Sequence, residues 1–457
     1  MKSSPSPSPG VTEEEEETHG ARGGGAGGGL EKKKIVIPPA PIEKPFSLWP
    51  GTYRSPVTEA LWHARSSFVQ RVQNSPLDGP AQSRLLNRTP AQSRTSVSYG
   101  FSSDLVLREH YRDPWNSIRI GKLLEDLDAL AGTIAVKHCT DDDHLTRPLL
   151  LVTASVDRIS IKKPMLIDVD LKIGGAVAWV GRSSMEIRME VNQPIDAIAG
   201  EDNVALVANF TFVARDSQTQ KAAPVNYLVP ETEEEKHLYA LGEARAAEKK
   251  KQRMQQQHSS YITAATSEQL RNLLTEGRVF SEMPALADRN SILIRDTRLE
   301  NTIICHPQQR NIHGRIFGGF LMRRAFELAF STCYVFGGIT PLFLEVDHVD
   351  FRRPVDVGDL LRFKSCVLYT ETENVEQPLI HVEVVAHVTK PENRSSEVSN
   401  TFYFTFTLNP KDLEGNKEHL VRKVLPATEE EARNYLARYD ADHLVINLYP
   451  ILISCSY

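Results

Sequence analysis

The sequence has few cysteines, no long hydrophobic run and no excess of basic charge. Its five cysteines are scattered among 457 residues, which argues against a disulfide framework and fits a reducing compartment. No stretch approaches the roughly 18 apolar residues of a membrane-spanning helix. The net charge is −6, so no global positive field attracts nucleic acid or an anionic membrane. A small secreted protein, a membrane protein and a polybasic DNA-binding protein are therefore disfavoured.

Several catalytic signatures are missing as well. The chain contains no G-x-S-x-G of a serine hydrolase, no Walker A sequence and no H-E-x-x-H of a zinc protease. The segment from His138 to His144 contains metal-ligand side chains but matches no zinc spacing, which favours a loop. None of these three enzyme classes, and no metal site, is therefore indicated.

The composition that is present, 40% hydrophobic and 25% charged, is that of a globular protein with polar segments added. An acidic run at Glu13–Glu17 and a glycine tract at Gly23–Gly29 indicate disorder near the N-terminus. Glu231–Gln257 is rich in Glu, Lys, Arg, Gln and Ala, which predicts a solvated connector helix. The predicted organisation is a disordered segment at 1–45, an extension at 46–94, a first domain at 95–230, a charged helical connector at 231–289, a second domain at 290–425 and a tail at 426–457.

An internal repeat is the most informative feature of the sequence. A glycine-bearing loop that leads into an apolar helix occurs at Asn116–Gly132 and again at Asn311–Glu327, and the matching glycines Gly121 and Gly319 are 198 residues apart. Val156–Pro164 and Val346–Pro354 also match, because each contains Val-Asp, alternating apolar positions, two basic residues and a final proline. One long helix followed by several alternating strands is typical of an α+β domain, and here it occurs twice.

Asp128 is the strongest candidate for catalysis. On a helical period of 3.6 residues it shares a face with Leu124, Ala131 and Ala135. An ionised carboxylate on an apolar helix face is costly unless it is paired or takes part in chemistry. A structural acid that is satisfied by a neighbouring amide is the alternative.

Asn311, Gly318 and Gly319 form a second candidate group. Consecutive glycines at the start of a helix let backbone N–H groups approach a ligand, and the helix N-terminus favours negative charge. This arrangement suits the oxyanion that forms when a carbonyl is attacked. Asn311 can orient a water molecule or the carbonyl. The alternative is a glycine pair needed only for tight packing and an asparagine that serves only the turn.

The second copy of the repeat lacks an acid at the position of Asp128. With the 198-residue offset, Asp128 corresponds to Phe326 and Asn311 corresponds to Asp113. Glu327 lies one residue further and is a reserve candidate for the acid, but a surface ion pair with Arg323 explains it equally well. The sequence therefore predicts one good site, formed by Asp128 and Asn311 from different repeats, and leaves the second site open.

Two segments resemble a known family. Arg119–Ala131 and His306–Ala329 are similar to the two-hotdog acyl-CoA thioesterases of the mitochondrial acyl-CoA thioesterase 9 type, and the similarity covers roughly residues 95–425. The resemblance implies a tandem double hotdog, in which an antiparallel sheet wraps around a long central helix twice. It also implies acyl-CoA hydrolysis without a metal or organic cofactor, by a chain that assembles into a homo-oligomer.

The resemblance implies roles for individual residues. The catalytic acid falls on Asp128 and the amide on Asn311, with Gly319 as an oxyanion donor and Glu327 in reserve. The implied substrate-binding residues are Gly318, Phe320, His313, Lys162, Lys163, Arg352 and Arg353, the last four as phosphate ligands. Taken alone, each basic pair is equally explained as a solvated surface feature.

Two alternative functions stay open at this stage. A non-catalytic acyl-CoA sensor fits the degenerate second site, and a hotdog enoyl-CoA hydratase fits less well because Gln309 stands where that reaction requires an aspartate. The location is open too. The family and the basic, Ser-rich stretch from Arg65 to Arg94 argue for an organelle, whereas the acidic N-terminus argues for the cytoplasm.

Overall fold

A computed structural model provides the fold. It describes residues 85–141, 146, 149–194, 203–256, 264–309, 315–374, 377–409 and 421–448. The predicted disordered segment at 1–45, residues 46–84 of the predicted extension and the last residues of the tail, 449–457, lie outside these ranges.

The helices of the described ranges include two long apolar ones. The helices are α1 Pro90–Ser93, α2 Leu105–Tyr111, α3 Ile120–Cys139, α4 Glu233–Gln256, α5 Ala264–Glu282, α6 Gly318–Gly337 and α7 Glu429–Leu448. The long apolar helices, α3 and α6, have 20 residues each and follow the two glycine-bearing loops, as the repeat predicts. Within the described part of the chain, no helix is long and apolar enough to cross a bilayer.

The strands alternate in hydrophobicity, as a sheet with one buried face requires. They are β1 Asn87–Arg88, β2 Thr95–Tyr99, β3 Leu149–Val156, β4 Ile159–Ile161, β5 Leu171–Val180, β6 Ser184–Asn192, β7 Val204–Asp216, β8 Tyr227–Leu228, β9 Ser291–Leu293, β10 Leu299–Ile304, β11 Pro341–Val346, β12 Val349–Asp350, β13 Leu360–Glu371, β14 Leu379–Lys390, β15 Ser395–Leu408 and β16 Lys423–Leu425. Twelve of them form one antiparallel sheet with the main path β10-β13-β14-β15-β11-β4-β7-β6-β5-β2.

The strands of the two repeats join at a seam in the middle of this sheet. Strand β11 pairs with β4, with Val346 opposite Ile159. Strand β12 pairs with β3, with Asp350 opposite Ser155. Because each pair takes one strand from each repeat, the sheet is continuous across the two halves of the chain.

The helices α3 and α6 pack against each other in antiparallel orientation. A Cβ atom on Gly121, near the start of α3, would lie 3.0 Å from the Phe326 ring in the middle of α6. A Cβ atom on Gly319, at the start of α6, would lie 2.9 Å from the carbonyl oxygen of Glu125 in α3. The N-terminus of each helix is therefore brought to the middle of the other.

Matching elements of the two halves also follow residues 230 and 425, where the sequence predicts the two domains to end. Helices α4 and α7 begin with the same capping box, in which Thr232 and Glu235 match Thr428 and Glu431. Each helix follows a short parallel strand pair, β1 with β8 and β9 with β16. The connector helix and the tail helix are thus equivalent elements of the repeat.

Helix α4 docks on the sheet, although the sequence predicts a solvated helix. Arg245 forms an ion pair with Glu186 on β6, and the Lys249 ammonium lies 2.6 Å from Asp157. The charged pairs, together with the close packing of Gly242 on Trp179, hold a helix whose apolar face is weak. The composition shows the charges but not the acids on the sheet that bind them.

Candidate active site

Asp128 lies where the first turn of α6 meets the middle of α3. Its side chain is completely buried. Oδ2 accepts the Gly319 N–H at 2.6 Å, and Oδ1 accepts the Thr153 hydroxyl at 3.0 Å. Burial raises the pKa of Asp128 to about 7, although both hydrogen bonds favour the ionised form. At neutral pH this carboxyl group can therefore both accept and return a proton.

The two glycines at the start of α6 lack a side chain for different reasons. A Cβ atom on Gly319 would lie 2.9 Å and 3.0 Å from backbone atoms of Glu125, so the helix packing requires glycine there. A Cβ atom on Gly318 would lie 3.1 Å from Asp128 Oδ2 and 3.3 Å from the Phe351 ring. We call the space in front of Gly318, between this carboxylate and this ring, the Gly318 slot. Gly319 is thus required by the packing of the two helices, and Gly318 by the close approach of the carboxylate and the ring.

Thr153 and Phe351 were not singled out by the sequence. Strand β3 contains a β-bulge between Thr153 and Ser155, with Ala154 as the extra residue. A bulge changes the direction of neighbouring side chains, and here the Thr153 hydroxyl reaches Asp128. The carbonyl oxygen of Ala154 accepts the Phe351 N–H at 2.9 Å, across the seam between the repeats. A threonine after a run of apolar residues in β3 is a weak signal, because only the fold shows what it faces.

The residue that corresponds to Asp128 in the second repeat is Phe326, in the middle of α6, as the repeat offset predicts. It faces the start of α3. Its ring lies where a Cβ atom on Gly121 would meet it. The same ring packs in an aromatic cluster with Phe330, Phe343, Phe404 and Phe406. A phenyl ring cannot accept a proton, so this position does not reproduce the chemistry of Asp128.

Glu327, the reserve acid, is held by three arginine side chains. Its carboxylate lies 2.9 Å from Arg323, 3.0 Å from Arg324 and 3.7 Å from Arg119. The two shorter contacts are charge-assisted hydrogen bonds, one to each carboxylate oxygen. The geometry favours the ion-pair interpretation over a proton-accepting role.

Asp113, the counterpart of Asn311, shapes the turn before α3. Its Oδ1 accepts the N–H groups of Trp115 at 2.9 Å and Ser117 at 2.7 Å. A carboxylate that accepts two neighbouring amides in this way stabilises a loop. Asn311 and His313 themselves lie outside the described residues.

The four basic candidates are exposed, and the structure distinguishes the two pairs. Arg352 and Arg353 directly follow Phe351, so they begin beside the Gly318 slot, and Arg353 forms an ion pair with Glu397. Lys162 and Lys163 follow β4, at the equivalent position of the first repeat. The arginine pair therefore directly follows the residue whose ring borders the slot, which distinguishes it from the lysine pair.

Phe320 completes the first turn of α6. Its ring is buried under the Arg324 guanidinium, 5.4 Å from the ring centroid. Its backbone N–H belongs to the helix N-terminus, where amides lack acceptors within the helix. In the described residues, no three His, Cys, Asp or Glu side chains are grouped to hold a metal ion.

The chain is similar to curated acyl-CoA thioesterases along most of its length. It is 64% identical over 400 residues to the chloroplastic acyl-coenzyme A thioesterase 2 of Humulus lupulus, covering 87% of this chain and 91% of the relative. It is 34% identical over 383 residues to the mitochondrial acyl-coenzyme A thioesterase 9 of Homo sapiens, covering 82% of each chain. The resemblance to that type is therefore confirmed.

Other comparisons are less extensive. No protein-family model matches the chain. Among solved structures, an acyl-CoA hydrolase from Bacillus cereus is 25% identical, covers 38% of this chain and 95% of its own, and has a TM-score of 0.31. The identity to the curated relatives and their coverage decide the assignment: the chain belongs to the acyl-coenzyme A thioesterase family and is a thioester hydrolase.

Proposed function

We propose that the chain hydrolyses acyl-CoA to a free fatty acid and CoA at one site between two hotdog domains. The observation that carries this proposal is the contact between Asp128 and Gly319, which joins a buried carboxyl group to a helix N-terminus. Relatives named acyl-coenzyme A thioesterases support the substrate class. The strands around α3 would form the first hotdog and the strands around α6 the second, in tandem.

Asp128 acts as the general base in this proposal. A pKa of about 7 makes the carboxylate more basic than an ordinary aspartate while a large fraction stays ionised at neutral pH. Each carboxylate oxygen accepts one hydrogen bond from the protein and retains a lone pair for water. Asn311, from the loop before α6, would hold that water.

The reaction then runs in two steps. The water oxygen bonds to the thioester carbonyl carbon, and its proton moves to Asp128. The oxyanion accepts N–H groups at the start of α6, for which Gly318 and Phe320 are the candidates because Gly319 donates to Asp128. The C–S bond breaks, and Asp128 returns the proton to the leaving thiolate.

Exposed basic residues beside the slot are the candidates to bind the CoA part of the substrate. The CoA phosphates would contact Arg352 and Arg353, beside the Gly318 slot.

Trp115 and Val335 are 41% and 71% exposed, an apolar surface that fits further assembly of double-hotdog units into a homo-oligomer. Light scattering of the purified chain measures that assembly.

Thiol release from a panel of acyl-CoAs tests the proposal. Replacing Asp128 by Asn keeps the shape and lets Gly319 still donate a hydrogen bond, but removes the base. We expect kcat to fall at least about 100-fold, with the chain still folded by circular dichroism.

Glu327→Gln is the matched control, because it removes the carboxylate of α6 that was the reserve candidate for the acid. We expect it to change kcat less than about threefold, since Glu327 is committed to arginines. Near-normal turnover by Asp128→Asn would refute the role of Asp128. Failure of the unchanged chain to release thiol from any acyl-CoA would refute the proposed function.

A further inference from the structure

We propose that Phe351 determines which acyl groups the site accepts, by limiting the bulk beside the thioester carbonyl in the Gly318 slot. This inference rests on the proposed function and adds to it a residue that sets specificity. It concerns branching next to the carbonyl, which is separate from the length of the acyl chain.

The geometry of the slot carries the inference. One point, the position of a Cβ atom on Gly318, lies 3.1 Å from Asp128 Oδ2 and 3.3 Å from both Cε1 and Cζ of Phe351. The carboxylate and the ring therefore border the same small volume. The carbonyl carbon that is attacked by the water held at Asp128 has to lie next to this volume. The substituents of that carbon therefore meet the Phe351 ring.

The ring is attached to a rigid part of the fold. Phe351 directly follows β12, and its N–H donates to the carbonyl oxygen of Ala154 at 2.9 Å. The preceding residue, Asp350, pairs with Ser155 across the seam. Thr153, next to Ala154, donates to Asp128. The acid and the ring are thus positioned by three consecutive residues of β3.

The size of the effect follows from the chemistry of such pockets. One extra or missing methylene in an apolar pocket changes kcat/KM by about 10–200-fold. A straight acyl chain places a single methylene at its α-carbon, whereas an α-branched chain places an additional methyl there. With Phe351 beside the slot, we expect straight chains to be preferred over α-branched chains.

Butyryl-CoA and isobutyryl-CoA, each assayed alone, test the inference. The kcat/KM for each is measured by thiol release. Phe351→Ala should raise the ratio of isobutyryl to butyryl turnover by at least about tenfold, and Phe351→Leu should give a smaller increase. The leucine variant keeps an apolar side chain at the seam, so it gives the answer if the alanine variant does not fold.

Ile161→Ala is the matched control. Ile161 precedes its two basic residues as Phe351 does, 190 residues earlier in the repeat, and it lies at the end of β4. We expect it to leave the ratio unchanged. An unchanged ratio in both Phe351 variants, or an equal change in Ile161→Ala, would overturn the inference while the proposed function stands. If the unchanged chain releases no thiol, the proposed function itself fails and this inference falls with it.

Discussion

Thr153→Val is a sharp test of how the fold sets the basicity of Asp128. Valine has nearly the shape of threonine and suits a β-strand, so the change removes one hydroxyl group and little else. The lost hydrogen bond, 3.0 Å long, ends on Oδ1 of Asp128 and favours its ionised form. Asp128 would stay buried and keep the Gly319 N–H. We therefore expect its pKa to rise above about 7.

The expected size follows from the energy of a charged hydrogen bond. Such a bond contributes about 1.5–3 kcal/mol, which corresponds to about 1–2 pKa units. The ionised fraction of Asp128 at pH 7 would fall from about one half to roughly 1–10%, and the rate would fall about 5–50-fold. At pH 9 the loss would shrink to about twofold or less. The loss of rate shrinks as the pH rises because the active, ionised form of the base is then restored.

The assay is kcat/KM for thiol release between pH 6 and pH 9.5, corrected for spontaneous thioester hydrolysis. Thr133→Val is the matched control, because the Thr133 hydroxyl donates only to the backbone of Ala129 in the same helix. We expect the acidic limb of the profile to shift upward in Thr153→Val and not in the control. An unshifted limb, or an equal loss at every pH, would refute the assigned role of the Thr153 hydroxyl.

Three further predictions follow from the contacts. Gly319→Ala should destabilise the chain by about 1–3 kcal/mol in urea unfolding, because its Cβ would clash with the Glu125 backbone. Arg352→Ala should raise KM for acyl-CoA several-fold with kcat nearly constant, because its guanidinium would bind phosphate away from the reacting atoms. Folding raises the pKa of Asp128 from the ordinary aspartate value of 3.8 to about 7. The protonated carboxyl group therefore stabilises the fold at low pH, and this contribution is lost as the pH rises through about 7. Asp128→Asn should therefore raise the melting temperature at pH 8 by roughly 2–5 °C and less at pH 5.

Each of these predictions has a contrary result. Wild-type stability of Gly319→Ala would mean that the helices separate at little cost. An unchanged KM in Arg352→Ala would remove that residue from phosphate binding. A melting temperature that falls equally at both pH values in Asp128→Asn would show that the ionised carboxylate is not the strained form.

The repeat made much of the fold readable in the sequence. The offset of 198 residues aligned two glycine loops with two helices, and α3 and α6 begin where that alignment places them. Met185, Ile187 and Met189 alternate with charged residues along the sequence, and all three are buried in β6. These features are local, because helical and strand periods are properties of neighbouring residues.

The candidate site was readable only in part. Asp128 stood out because its helical position is apolar on both sides, and the structure buries it completely. Thr153 and Phe351 carried no comparable signal, since a threonine and a phenylalanine in strands are ordinary residues. Glu327 was left between two interpretations, and the three arginines that surround it became visible only when α3 and α6 were packed together.

The sequence by itself determined the duplicated α+β pattern, the family, and the loss of the acid at Phe326, because these depend on residue identity and spacing along the chain. The tertiary structure decided which groups meet. Gly319 donates to a carboxylate 191 residues earlier in the chain, and the Phe351 ring closes the slot from the other side of the seam. Such contacts depend on the register of β12 against β3 and on the approach of two helices. The pKa of Asp128 depends on the burial and hydrogen bonds that result, so no local pattern encodes it.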